Sequence, residues 1–161
     1  MKAAIIMGSD SDWPILKPAA DILKQFSIEA EVVVASAHRT PAKVRDFVLS
    51  APEKGISVFI VAAGAAAHLA GVVASYTTLP VIGVPINATA LNGMDALLST
   101  VQMPSGVPVA TMAINGAKNA AIFAVQIFAV GNEELAGKLA AYREKMVEEV
   151  EKKAARVAAQ L

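Results

Sequence analysis

His38 and Arg39 are adjacent residues whose side chains could act on an anionic substrate near neutral pH. Imidazole accepts and donates protons in this range, and guanidinium carries a permanent charge that matches phosphate or carboxylate. A strand predicted at residues 32–35, with three successive valines, precedes the pair, and Thr40 and Pro41 after it predict a helix that Thr40 caps. Both side chains are therefore predicted on a strand-to-helix loop, where open α/β sheets bind ligands. The alternative is a solvated arginine beside a structural histidine.

A second polar cluster, GSDSDWP, occupies residues 8–14 after an apolar stretch. It matches neither the P-loop nor the Rossmann dinucleotide fingerprint. The hydroxyls of Ser9 and Ser11, with the N–H groups of a following helix, could hold a phosphate. Asp12 would repel that phosphate, so its carboxylate is better suited to sugar hydroxyls, and together these residues suggest a ribose phosphate. The alternative is that Ser11 or Asp12 simply caps the helix.

A third loop, at residues 63–71, consists almost entirely of glycine and alanine. Such a surface suits a flat ligand, or a small group packed against backbone amides. The alternative is close packing between a strand and a helix. His68 within this loop either caps the next helix or contacts the ligand.

Short apolar runs alternate with helical patterns along the chain. Strands are predicted at residues 3–7, 32–35, 57–63, 80–84 and 109–113, and helices up to about residue 26, at 41–49, up to about 77, at 89–101, 117–130 and 132–161. This alternation predicts a parallel sheet covered on both faces. Because the carboxyl ends of parallel strands share one edge of a sheet, the three loops can converge.

Length and composition exclude several classes of protein. The 161 residues, without a linker or repeat, predict one domain. The 14 basic and 14 acidic residues balance, so neither nucleic acid nor a membrane surface is an expected partner. The absence of cysteine excludes disulfides and thiolate metal sites, and two histidines argue against a histidine-rich metal centre. We find no membrane-spanning or signal segment and expect a soluble, cytoplasmic protein.

The apolar content predicts association between copies of the chain. Hydrophobic residues make up 55 % of the sequence, against a typical ~45–50 %. The helix at 132–161 would be about 45 Å long, so part of it is expected on a neighbouring subunit rather than only on its own domain. Its apolar residues form one stripe: Leu135, Leu139, Tyr142, Met146, Val150, Ala154, Val157 and Leu161.

Six motifs in this order closely resemble the PurE family: GSDSDW, SAHRTP, AAHLAG, LPVIGVPI, LNGMDALLSTVQMPSGVPVAT and AINGAKNAA. The resemblance covers about residues 3–130 and extends to the helical tail. SAHRTP, rather than a lysine form of that loop, is similar to class I members, the N5-carboxyaminoimidazole ribonucleotide mutases of purine biosynthesis.

The resemblance implies a three-layer, flavodoxin-like α/β fold and a homo-octamer with active sites at subunit junctions. It implies transfer of a carboxylate from N5 to C4 of a small ribonucleotide, with no metal and no cofactor. His38 would shuttle protons, Ser9 and Arg39 would bind the 5′-phosphate, and Asp12 would bind the ribose. The loop from Gly64 would shelter the migrating carboxylate or carbon dioxide. The substrate-binding residues expected in full are Ser9, Ser11, Asp12, Ser36, Arg39, Gly64, Ala65, Ala66, His68 and Leu69.

Two positions depart from the family pattern. Ala65 replaces the second residue of a Gly-Gly pair, and Ala70 replaces a proline. A methyl group at residue 65 could intrude on the carboxylate site or resist a positive φ. These departures and the alanine-rich tail leave two alternatives open: an engineered or divergent assembly scaffold with weakened catalysis, and a non-catalytic nucleotide-binding module that does not need His38.

Overall fold

The computed structural model describes residues 1–160, and the chain divides into two compact units, Met1–Ala124 and Val125–Leu161. Strands and helices alternate in the first unit. The strands of the described residues are β1 (Lys2–Met7), β2 (Glu29–Val34), β3 (Ile56–Gly64), β4 (Val81–Ile86) and β5 (Ala110–Thr111). The helices are α1 (Trp13–Gln25), α2 (Pro41–Leu49), α3 (Leu69–Ser75), α4 (Met94–Val101), α5 (Ala117–Ala129) and α6 (Glu133–Ala158).

The five strands form one parallel sheet in the order β2-β1-β3-β4-β5. The chain moves outward from β1 to β2 and then returns past β1 to β3. The order therefore reverses between β1 and β3, and ligands bind outside the carboxyl ends of the strands at such a point. Two bonds beyond the strand ends keep the loops close: Gly8 N–H donates to Ala62 O at 3.3 Å, and Ala35 N–H donates to Met7 O at 2.9 Å.

The core lies on both faces of the sheet because β1 and β3 are continuously apolar and buried. On one face, alternate residues of these strands, such as Ile6 and Phe59, pack with Val44 of α2 and Val73 of α3. Helix α1 buries Leu16, Ala19, Ile22 and Leu23, which do not belong to that cluster, and covers the opposite face. The predicted three-layer, flavodoxin-like α/β fold is confirmed.

Most of the predicted boundaries agree with the structure, and α2 agrees at both ends. The prediction for α4 was wrong at its start, since the helix begins at Met94 rather than at residue 89. Asn92 and Gly93 adopt φ values of 53° and 83°, which an α-helix cannot contain. Strand β5 is also shorter than predicted, with only Ala110 and Thr111 paired to β4.

In the second unit, α6 begins at an N-cap that its sequence specifies. The Asn132 side chain accepts a hydrogen bond from Leu135 N–H at 2.9 Å, and Glu133 and Glu134 lie in the first turn. Leu135 and Leu139 are buried. Farther along, Met146, Val147, Val150 and Val157 are each more than half exposed. Leu161, the last residue of the predicted stripe, lies outside the described residues.

Within residues 1–160, none of the helices combines the length and the apolar character that crossing a membrane requires. Nor does this part of the chain contain a group of three or more His, Asp or Glu residues placed to hold a metal ion.

Candidate active site

A cavity of about 330 Å³ opens at the carboxyl edge of the sheet, at the point where the strand order reverses. Four successive strands contribute to it, each through its last residues or the loop that follows. The lining residues are Gly8, Ser9, Ser11, Asp12, Ser36, Ala37, His38, Arg39, Ala63, Gly64, Ala65, Ala66, Leu69 and Ala88.

The loop after β1 forms a single 3₁₀ turn, Asp10–Asp12, which Ser9 caps. Ser9 N–H donates to Asp12 Oδ2 at 3.2 Å, and Ser9 Oγ accepts from Ser11 N–H at 3.4 Å, which completes a capping box. The capping alternative for Ser11 and Asp12 was wrong in detail, because Ser9 is the cap and Asp12 makes no side-chain bond to the start of α1.

Gly8, where this loop begins, has no structural requirement for glycine. A Cβ built there would have no atom within 4 Å, and its φ is not positive. The missing side chain instead leaves room beside the cavity, as close approach of a ligand to the backbone requires.

Asp12 is a buried carboxyl group, only 7 % exposed, on the wall of the cavity. Burial raises the pKa of Asp12 above its ordinary value, and the charge of nearby Asp10 acts in the same direction. The hydrogen bond from Ser9 and the charge of Arg39 lower this pKa, but the net shift is upward. A carboxyl group with a perturbed pKa in a cleft is typical of a functional site.

The loop after β2 brings Arg39 to the Gly8 turn. Arg39 Nη2 donates to Gly8 O at 2.9 Å, and Arg39 N–H donates to Ser36 Oγ at 3.2 Å. The guanidinium and the Ser9–Asp12 turn therefore line the same cavity.

Thr40 does not cap α2 through its side chain, which corrects the sequence prediction. Its Oγ1 accepts a hydrogen bond from Ser36 N–H at 2.9 Å and donates one to Ser36 O at 3.2 Å. The hydroxyl is thus bonded to the loop rather than to the first turn of the helix.

His38 and His68 form a pair across two loops. The distance from His38 Nε2 to His68 Nδ1 is 3.0 Å, and the rings meet edge to face with centroids 5.0 Å apart. One of these nitrogens must carry the proton and the other must accept it. His68 makes no side-chain cap bond at the start of α3, so of its two predicted roles the structure favours contact at the site over capping.

The loop after β3 is closely packed at one residue and strained at the next. A Cβ on Gly64 would lie 2.5 Å from Ala88 Cβ and 3.3 Å from Ile86 O, so glycine is required there. Ala65 has a φ of 53°, the left-handed conformation that its methyl group disfavours. The expectation that residue 65 needs a positive φ therefore agrees with the backbone.

Of the eleven predicted site residues, all but His68 line the cavity, and His68 contacts it through His38. Four further residues line the cavity: Gly8 and Ala63, which belong to the predicted polar cluster and small-residue loop, Ala37 beside His38, and Ala88, which was not predicted. Ala88 follows β4, a fourth strand ending at the same edge, and that position was the available signal. The contact between His38 and His68 spans 30 residues and left no local signal.

The family model described as AIR carboxylase matches residues 2–149. The chain belongs to the AIR carboxylase family. Its resemblance to PurE proteins, inferred from the motifs, is confirmed.

Two relatives of this AIR carboxylase family chain are named N5-carboxyaminoimidazole ribonucleotide mutase. The protein of Thermotoga maritima is 54 % identical over 156 residues, which cover 97 % of this chain and 91 % of the relative. That of Saccharolobus solfataricus is 54 % identical over 149 residues, covering 92 % and 94 %.

The crystal structure of Treponema denticola PurE also superimposes on this member of the AIR carboxylase family. The TM-score is 0.85 with 28 % sequence identity, over 96 % of this chain and 97 % of that one. A variant of Treponema denticola PurE2 gives a TM-score of 0.86 with 27 % identity, over 96 % of both chains.

Proposed function

We propose that this protein is an N5-carboxyaminoimidazole ribonucleotide mutase, an isomerase that moves a carboxylate from N5 to C4 of aminoimidazole ribonucleotide in purine biosynthesis. Curated relatives with 54 % identity bear this name. The observation that carries the proposal is the common cavity of His38, Arg39 and Asp12, which supplies a proton carrier, an anion-binding group and an acceptor for sugar hydroxyls.

The phosphate end of the substrate is assigned to Arg39 and the serines around it. Arg39 offers N–H donors in a planar fork, and Ser9, Ser11 and Ser36 surround it with hydroxyls. Asp12 lies beside them on the wall, where its acceptor oxygens suit the ribose hydroxyls. This division assigns the phosphate to the cationic and hydroxyl groups and the ribose to the carboxylate, and so gives the bound nucleotide a direction.

His38 performs both proton transfers of the reaction. The bond from N5 to the carboxylate carbon breaks, carbon dioxide is released, and N5 takes a proton from His38. C4 then attacks carbon dioxide, the new carbon–carbon bond forms, and His38 removes the proton that C4 carried. The isomerisation consumes no co-reactant. An imidazole suits both steps because it readily gains and loses a proton near neutral pH.

Transient carbon dioxide needs a site from which it does not escape. Gly64, Ala65, Ala66 and Leu69 form a wall with no charged group, which suits a small apolar molecule. Confinement there keeps carbon dioxide near C4 and raises its effective concentration. His68 is proposed to contact bound substrate at this end and to hold the His38 ring through their 3.0 Å contact.

The proposed assembly is a cytoplasmic homo-octamer with sites at subunit junctions. The single chain exposes apolar side chains on two helices: Met94, Leu98 and Val101 of α4, and Met146, Val147, Val150 and Val157 of α6. Exposed apolar patches of this kind mark interaction sites. These patches support an assembly in which α6 packs in part on neighbouring subunits. Residues 1–161 are proposed to form one PurE-like domain.

The test is turnover of N5-carboxyaminoimidazole ribonucleotide to the 4-carboxy product by the purified protein. Turnover that disappears in His38→Asn supports the mutase. A parallel reaction with aminoimidazole ribonucleotide and carbon dioxide separates the mutase from a carboxylase, because only a carboxylase would use those substrates efficiently.

Two negative results would identify the alternatives. Substrate binding without turnover would indicate a nucleotide-binding module or a scaffold that has lost catalysis. Absence of both binding and turnover would indicate a pure assembly unit. No observation on the chain favours either of these.

A further inference from the structure

We infer that Thr40 is a positioning residue for the anion-binding arginine, acting through Ser36 without touching the substrate. This inference rests on the proposed function and adds a residue to it. The sequence pattern indicated a different role for Thr40, that of a helix cap.

The hydroxyl of Thr40 is committed to both polar groups of the Ser36 backbone. Its Oγ1 accepts from Ser36 N–H at 2.9 Å and donates to Ser36 O at 3.2 Å, and Thr40 N–H also donates to Ser36 O at 2.9 Å. These three bonds close the loop of residues 36–40, which holds His38 and Arg39. A capping threonine would instead direct its oxygen to the first N–H groups of the helix.

Ser36 in turn holds Arg39 at two points. Ser36 Oγ accepts from Arg39 N–H at 3.2 Å and lies 3.5 Å from Arg39 Nε. The far end of the guanidinium donates to Gly8 O at 2.9 Å. The hydrogen bonds therefore run from Thr40 through Ser36 to Arg39, and from there to the turn that carries Ser9 and Asp12.

Removing the Thr40 hydroxyl should loosen the arginine more than it loosens the helix. Ser36 N–H would lose the acceptor that the structure gives it, while the backbone bond of α2 from Val44 N–H to Thr40 O would remain. Because Arg39 and all the groups that hold it lie on loops, this loss should affect binding of the phosphate before it affects stability.

The experiment compares Thr40→Val, which keeps the shape and loses the hydroxyl, with Thr40→Ser, which keeps the hydroxyl. Binding of ribose 5-phosphate and the kcat and KM for N5-carboxyaminoimidazole ribonucleotide are measured on each folded protein. Thr40→Val should weaken ribose 5-phosphate binding and raise KM by about tenfold, with a smaller change in kcat, and Thr40→Ser should restore binding to within about twofold of the parent.

Ser50→Ala is the matched control, since it removes a hydroxyl bonded to Phe47 O at the other end of α2. It should lower the melting temperature without changing KM. A double-mutant cycle tests the route: in a Ser36→Ala background, Thr40→Val should change ribose 5-phosphate affinity by less than about twofold.

Two results would overturn the inference. One is that Thr40→Val and Thr40→Ser bind ribose 5-phosphate equally, and the other is that Thr40→Val lowers the melting temperature alone. Failure of the proposed function looks different, because the parent protein would then bind ribose 5-phosphate without turning over the mutase substrate. A parent that does not bind ribose 5-phosphate would refute both.

Discussion

Ala65 has a left-handed backbone conformation, with φ 53°, on the wall of the cavity. An alanine there is less stable than glycine because its Cβ is crowded. Ala65→Gly should therefore raise the free energy of unfolding by about 1 kcal/mol, as measured by urea denaturation. If the methyl group also obstructs the carboxylate site, kcat should rise as well.

Ser27 provides a control for that substitution, since it has φ 60° just after α1 and lies away from the cavity. Ser27→Gly should give a similar gain in stability and no change in kcat. Equal or lower stability of Ala65→Gly than of the parent would show that the strain at residue 65 is negligible.

Two glycines at the edge of the cavity should respond differently to the same added methyl group, one in stability and the other in ligand binding. Gly64→Ala should destabilise the fold by about 1–3 kcal/mol, because the new Cβ would overlap Ala88 Cβ at 2.5 Å. Gly8→Ala should leave the melting temperature unchanged, since nothing lies within 4 Å of the new atom. It should nevertheless weaken ribose 5-phosphate binding, measured by calorimetry. Unchanged ribose 5-phosphate binding in Gly8→Ala would show that the phosphate does not bind at that turn.

Asp12 should make stability depend on pH in a predictable direction. Burial raises the pKa of Asp12 in the folded state. The contribution of this carboxyl group to the free energy of unfolding is therefore fully present below the pKa that it has in the unfolded chain, and it is lost as pH rises through the pKa of the folded state. Asp12→Asn should therefore melt at a higher temperature than the parent at pH 7, with no gain at about pH 3. The same variant should bind substrate more weakly.

Asp21 is the control for that experiment, being an exposed carboxylate paired with Lys17 on α1. Asp21→Asn should give no gain in melting temperature at pH 7. A gain for Asp12→Asn that persists at acid pH would contradict the assigned cause.

The residue types of the site could be predicted from the sequence, but not all of their contacts. Asp12 and Arg39 lie in the loops after β1 and β2, and Gly64 ends β3, so the pattern that predicts the strands also places them at one edge. The partner of Thr40 could not be predicted, since a threonine before a helix can bond forward to the helix or back to its loop, and only the folded loop decides. The contact between His38 and His68 joins the loops after β2 and β3, which lie on either side of β1, and no local pattern specifies that arrangement.

The helices and strands could be predicted wherever the spacing of apolar residues and the position of proline or glycine indicate the same boundary. Pro41 fixes the start of α2, and the apolar runs of β1 and β3 are too short and too continuous for helices. Agreement failed at residues 89–93, where the composition permits a helix but Asn92 and Gly93 turn left-handed. Ala88, just before this stretch, was not predicted as a site residue, because an alanine after a strand carries no polar group that indicates a ligand.

The pairing of two loops through histidines gives a prediction at the scale of elements. His68 directly precedes α3 and contacts His38 of the β2–α2 loop, whereas the phosphate is proposed to bind Arg39 and the serines around it. His68→Asn should lower kcat by about tenfold, because His38 loses the partner that orients its ring. Binding of ribose 5-phosphate should not change, and His38→Asn should lose far more activity. A His68→Asn protein with the parent's kcat would show that His38 is held in place by other means.

For the whole molecule, composition predicts association, and the fold indicates which surfaces are available for it. The hydrophobic excess is not all used in the sheet core, since α4 and α6 each carry large apolar side chains that are about half exposed or more in the single chain. Sequence alone could not locate this surplus, because α4 has the same apolar pattern as a buried helix. Three-dimensional burial distinguishes the two cases.

The stripe on α6 gives a test of assembly. Val150→Lys together with Val157→Lys places two charges on exposed apolar positions and should reduce the sedimentation mass, because each charge would lose its hydration in a subunit interface. The control adds two lysines on the opposite side, at Ala155 of α6 and at Ala159 directly after the helix, and should keep the parent's mass. If active sites lie at subunit junctions, kcat/KM should fall together with the mass in the stripe variant and remain unchanged in the control. A stripe variant with the parent's mass would mean that α6 does not pack on neighbouring subunits.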